Sequence, residues 1–430
     1  MTSWESSLRE TIFSQPIVDT HTHIWPRSHL PERVNGYDFF RACGYIRIWW
    51  STVGYFSKDD LRQGREVRDW PTLAEGIRLV RNIGYYRTFW NGLKNLYGIQ
   101  AEEMDEESFA ELSEKLEKSY SDPDWFRTVL RDKAGLEVIC QDLPGYAIDR
   151  SLLTPTARMD DYIMFGRSDY ADNVIKKYGR DRTSTLDGLE SCLRQDFEEA
   201  VENGAAAIKS RNVSARSLQY DPVDSNQAAI ALAEILKGPG NPAEKTLGDY
   251  MMARVAELCA EHDIPLQIHT GPSGGINYVT HYGNPLELNS LLQRNPKTKF
   301  DLLHAGGPFV SESWNVATQF PNVTLDLCGI FAKDFLRRIL DEWIEFVPQG
   351  KLMWGTDINL VEEAYAVTLN FREVLSKFLA DRVRSGYLSR TTAEEFAAGI
   401  MRDNALRILR LPKGTDRGCD APTPKPRKLG

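Results

Sequence analysis

From residue 136 onward, short apolar runs alternate with amphipathic helical stretches, and that rhythm leaves few folds open. Residues 137–142, 162–165, 205–209, 265–269, 300–304, 323–327 and 351–357 read as strands. The run that starts at Ile17 makes an eighth. Between them lie helices such as one carrying Leu189, Leu193 and Phe197, stopped by Gly204, and one carrying Leu247, Met251, Val255 and Leu258. Strands joined through helices pair in parallel. Eight of them close a (β/α)8 TIM barrel, an α/β fold whose active sites sit where the strands end.

The barrel is expected over 1–26 and 136–412. Residues 27–135 interrupt it and read as a helical cap inserted after the first strand. The insertion is rich in aromatic residues, among them Trp49, Trp50, Tyr86 and Trp90, and ends in an acidic helix over 105–119. These aromatics, with Arg47 and Arg87, are expected to roof the pocket, since strand-to-helix loops carry specificity in barrels. Thr391 and Glu394 suggest a capping box. The tail over 413–430, with Pro422, Pro424 and Pro426 among charges, is expected to be disordered.

Composition removes several function classes. The net charge is −9, which argues against a nucleic-acid surface. No apolar run approaches the ~20 residues of a membrane span, and the first fifteen residues are too polar for a secretory signal. Six scattered cysteines with no C-x-x-C pair read as reduced thiols of a cytoplasmic protein. The expected partners are a small-molecule substrate and further copies of the same chain.

The histidines are few, seven in all, and four of them fall at strand ends: His21, His23, His269 and His304. Asp357 and Lys209 end two further strands. His21 and His23 stand at i and i+2, so in a strand they share a face and can share one divalent ion: zinc first, with manganese, iron or nickel as alternatives. In a barrel all these positions converge on one rim. A bound divalent ion lowers the pKa of water, and Asp357 is placed to take the proton. Gly271–Gly275 fits G-x-S-x-G formally, but no acid and histidine follow at the spacing a nucleophile elbow needs. It reads as a glycine-rich loop over the barrel mouth.

The strand-end motifs resemble those of the amidohydrolase superfamily, in its amidohydrolase-related branch. The matching pieces are Asp19-Thr20-His21-Thr22-His23, Gln267-Ile268-His269-Thr270-Gly271, His304-Ala305-Gly306-Gly307, Gly355-Thr356-Asp357 and Asp403-Asn404-Ala405-Leu406-Arg407. They cover the first strand and most of 200–410, leaving the insertion unexplained. The resemblance implies that His21, His23, His269 and Asp357 hold or approach one metal, and that His304 supports a ligand, acts in catalysis or holds a second metal. It also implies that Lys209, if carboxylated, would bridge a second metal. The other reading of Lys209, with Arg211, is a partner for a substrate carboxylate. The expected activity is hydrolysis of a small polar, carboxylate-bearing substrate through a metal-activated water. A non-oxidative decarboxylase, a sugar-acid isomerase and a barrel that binds without turnover are the alternatives.

Overall fold

The computed structural model describes residues 2–56, 67–143, 145, 149–238, 242–271, 275 and 277–411. Its strands are β1 (Ile17–Thr22), β2 (Leu136–Gln141), β3 (Thr154–Pro155), β4 (Ala157–Arg158), β5 (Ile208–Ser210), β6 (Leu266–His269), β7 (Phe300–Leu303), β8 (Val323–Asp326) and β9 (Leu352–Met353). Every pairing is parallel, in the order β1-β2-β3 and β4 through β9. β3 and β4 are one passage of chain. Thr156 N–H donates to Gln141 at 2.8 Å on one side, and Ala157 N–H to Ala207 at 3.1 Å on the other. The ring closes between β1 and the segment after β9, where Asp357 N–H donates to His21 at 2.8 Å and His23 N–H to Ile358 at 2.9 Å. A Cβ on Gly355 would lie 2.7 Å from the Thr20 hydroxyl and 2.8 Å from His21 N, so closure at this point needs glycine.

The third barrel strand differs from the sequence reading. Residues 162–165 are not a strand. Asp160–Ile163 is a helical turn, begun by two acidic residues that suit a helix N-terminus. The strand lies earlier, at 154–158, where Pro155 removes a backbone donor and breaks the apolar pattern that marks a strand. The cap at the last helices also differs. Ser389, not Thr391, accepts the Thr392 N–H at 3.0 Å. The 413–430 tail lies outside the described residues, as does most of the glycine-rich stretch at 272–276.

Between β1 and β2 run helices Gly36–Ala42, Gly44–Thr52 (here α1), Trp70–Val80, Gly84–Tyr97 (α2) and Glu106–Tyr120. They bury a core of their own, including Phe39, Phe40, Trp50, Phe89, Trp90 and Leu112. Farther on, Val129, Leu130 and Ala134 already pack in the barrel core. α2 lies against the long helix Val361–Arg384 (α3). A Cβ on Gly92 would meet the Ala366 Cβ at 2.1 Å, so the two backbones touch at glycine. Beside that contact the Glu362 carboxylate accepts from Tyr97 OH, Tyr120 OH and Trp125 Nε1, each at 2.9 Å. Among the described residues, no helix is long and apolar enough to cross a membrane.

Candidate active site

A cavity of about 710 Å³ opens at the C-terminal ends of the strands. Its floor holds His21, His23, His269, His304 and Asp357, residues that the chain supplies from β1, β6, β7 and the turn after β9. Two of them carry unusual backbone: His304 has φ +69° and Asp357 φ +52°. Left-handed conformations at non-glycine residues cost energy and concentrate at functional sites.

Asp357 is the hub. Its Oδ1 lies 3.2 Å from His23 Nε2 and 3.6 Å from His21 Nε2; its Oδ2 lies 3.7 Å from His304 Nδ1 and accepts from the Tyr45 hydroxyl. Burial alone would raise its carboxyl. The hydrogen bond and charge of His23, the charge of His304 and the Tyr45 hydroxyl outweigh burial and hold it below the usual carboxylate range. The imidazoles go the other way. Burial, then Lys209, pushes His21 well down, and burial brings His304 to about 4 although Asp357 opposes it. Both are neutral near pH 7.

Second contacts set the tautomers. The Asp142 carbonyl takes the Nδ1 proton of His23; Nε2 carries a proton as well when it donates to Asp357, and would give it up where a metal ion takes that place. The Cys328 carbonyl, 3.2 Å away, takes the Nδ1 proton of His304. His304 Nε2 is then a buried lone pair with no partner among the described residues. His269 packs its ring 4.0 Å from that of His304.

These residues suit a divalent ion. Two ligands of one ion, each ~2.1 Å from it, lie about 3.0–3.4 Å apart. The 3.2 and 3.6 Å separations around Asp357 Oδ1 sit beside that range. Asp142 also brings a ligand atom within 4.8 Å of His21 and His23. Its carboxylate, however, is held at both oxygens by Arg158, at 2.7 Å each. A guanidinium in that position opposes a second cation, so Asp357 is the better donor.

Lys209 and Arg211 line the same cavity. Lys209 Nζ is buried with no hydrogen-bond partner among the described residues, and burial lowers its pKa despite the Asp142 carboxylate nearby. Arg47 and Arg87 are elsewhere. Arg47 donates to the Arg41 carbonyl at 3.3 Å, and Arg87 pairs with Glu103 at 2.5 Å. Nor do the named aromatics roof the pocket. Trp50, Tyr86 and Trp90 are cap core, and Trp49 is 37% exposed. The cap reaches the cavity through α1 instead, with Gly44, Tyr45 and Ile48.

Sequence reasoning missed Asp142, Arg158 and Tyr45. Asp142 ends a strand like the other site residues, and the strand-end rule would have found it. Arg158 was hidden by the misplaced third strand. Tyr45 belongs to the aromatic run over 36–56, but nothing in that run set it apart from its neighbours.

A parallel eight-stranded barrel with histidines and an aspartate converging on its C-terminal rim defines a class of metal-site barrels. Within it the particular family follows from comparison. The family model described as Amidohydrolase matches residues 193–411, just over half of the chain, and the chain belongs to that family. Protein fluG of Emericella nidulans is 33% identical over 196 residues, an alignment covering 43% of this chain and 22% of fluG. The match thus spans about a fifth of that longer relative. Among solved structures, uronate isomerase from Thermotoga maritima is 20% identical over 95% of this chain and 98% of its own, with a TM-score of 0.80. Glucuronate isomerase from Caulobacter crescentus is 16% identical over 96% and 95%, with a TM-score of 0.79. A Lactobacillus casei protein described as a metal-dependent hydrolase is 18% identical over 93% and 96%, with a TM-score of 0.68. At these identities the likeness is one of fold.

Proposed function

We propose that this protein is a metal-dependent hydrolase of a small carboxylate-bearing substrate, with His21, His23 and Asp357 holding one divalent ion and His269 beside it. The observation that carries the reading is the placement of Asp357 Oδ1 against both histidine Nε2 atoms. Zinc is the first expectation, given three N/O donors. A bound divalent ion lowers the pKa of water and polarises a carbonyl. Asp357, ionised at neutral pH, accepts the proton that water gives up. Tyr45 holds Oδ2 so that Oδ1 keeps its orientation. His304, neutral with a bare Nε2, is an acceptor there; it would take up the proton that water gives to Asp357 and relay it to the leaving group. Lys209 and Arg211 meet the substrate carboxylate, and the unpartnered Lys209 Nζ supports that role over one in the fold.

The apolar side chains of Ile48, Leu143, Pro308, Ile330 and Phe335 share the lining with the polar Arg158, Arg211 and Asn359, so isomerisation of a sugar acid is the second reading. The test is product analysis in heavy-oxygen water with N-acyl amino acids, lactones, aryl carboxylic acids and uronates. Hydrolysis places one heavy oxygen in the product. Carbon dioxide release, or a uronate converted without change of mass, would replace this reading by the decarboxylase or the isomerase.

Gly329 tests the geometry. With φ +74°, it would set a Cβ 2.7 Å from Asp357 Oδ2 and 3.1 Å from His304 Nδ1. Gly329→Ala is expected to lower kcat by roughly 10²-fold, the usual consequence of displacing reacting groups by about 1 Å. Steady-state kinetics beside a circular dichroism spectrum checks it. A variant with wild-type kcat would show that the floor tolerates displacement.

A further inference from the structure

The turn that carries Asp357 is gripped from behind by a buried carboxylate. Glu363, on the first turn of α3, accepts the Asn359 N–H at 3.1 Å and the Leu360 N–H at 2.8 Å through Oε2. Its Oε1 accepts from the hydroxyl of Tyr85, which belongs to α2 in the cap. Glu363 is fully buried, and among the described residues no cation lies within ion-pair distance of it. A buried carboxylate solvated only by neutral donors is costly to keep, so its position needs a reason.

The contacts close into a ring. The Tyr85 ring packs 5.6 Å from that of Tyr45 and 5.4 Å from that of Phe331, and Tyr45 lies edge-on to Phe331 at 4.7 Å. Phe331 is itself pinned, its carbonyl taking the Thr88 hydroxyl of α2 at 2.8 Å and Asn370 Nδ2 of α3 at 3.1 Å. The Tyr45 hydroxyl then returns to Asp357 Oδ2. Asn359, the residue Glu363 holds, also donates Nδ2 to the His23 carbonyl at 3.3 Å.

We propose that Glu363 and Tyr85 are positioning residues, which fix the Asp357 turn to the cap and set the Tyr45 hydroxyl on the Asp357 carboxylate. The cap thereby sets the geometry at Asp357 as well as closing over the cavity. Neither residue lines the cavity, so each acts through Tyr45 and the turn. The effect at a metal centre rests on the function proposed above; the link between cap and turn does not.

The experiment uses the full chain loaded with Co(II), whose visible bands report the position of Asp357, with amide exchange of 357–360 measured in parallel. Tyr85→Phe is expected to shift the bands in the same direction as Tyr45→Phe. The double variant is expected to shift them no further than Tyr45→Phe alone, because both act on one hydrogen bond. Tyr85→Phe should also lower protection of the Asn359 and Leu360 amides by about tenfold. Glu363→Gln, which keeps an acceptor for both amides, should retain protection. Wild-type bands in Tyr85→Phe, or shifts that add in the double variant, overturn the proposal. If the wild-type chain takes up no Co(II), the metal reading falls, and amide exchange decides the link alone. Unchanged protection in Tyr85→Phe then refutes it.

Discussion

Replacing Asp357 by asparagine lowers kcat by about 10²–10⁴, the range expected when a general base is removed. Asparagine keeps the size of the side chain and an oxygen for the ion, but it cannot take a proton. Part of the metal should therefore remain, and metal content measured beside kcat separates the two roles of the residue. Asp357 is suited to the task because its neighbours hold it ionised inside a buried site. His304→Asn should fall by a similar factor with the fold intact, since its buried Nε2 has no structural partner to lose. Turnover near the wild-type rate in either variant would end the assignment of that residue.

Stripping the metal is expected to have the other large effect. Dialysis against a chelator should bring turnover to background, and one equivalent of divalent ion should restore it. Stability should fall as well, because a ligand bound only by the folded chain at a hundred times its Kd contributes about 2.7 kcal/mol. The melting temperature of the stripped protein should then lie several degrees lower and recover on reloading. Elemental analysis gives the direct check. Well under one metal per chain, together with full activity in His21→Ala, would rule out the metal centre.

Much of the barrel could be read from the residues because parallel strands buried on both faces are apolar runs. Seven of the eight lie where the pattern put them. The third is short and carries Pro155, so its pairing comes from the neighbouring strands rather than from its own composition. The floor was legible for the same reason: strand ends are sequence positions, and the barrel brings them together. The cap was not. Aromatic residues at helical spacing mark a buried face, but periodicity does not say which cavity that face looks toward. Trp50, Tyr86 and Trp90 turned inward to the cap's own core, while Tyr45 and Ile48 turned to the site. Arg87 found Glu103, a pairing set by tertiary contact.

The barrel closes between its first strand and the segment after its last. The bond from the Thr22 hydroxyl to Ile358 joins residues 336 positions apart. At 5–20 residues per second, His21 and His23 leave the ribosome roughly 20–70 s before Asp357 exists. Throughout that interval the two imidazoles are an open bidentate site, and such a site favours copper over the metals on either side of it in the divalent series. Only when Asp357 arrives does the third donor impose geometry. If the proposed ion is bound, the donor geometry that selects it is therefore complete only once the last strand of the barrel has been made.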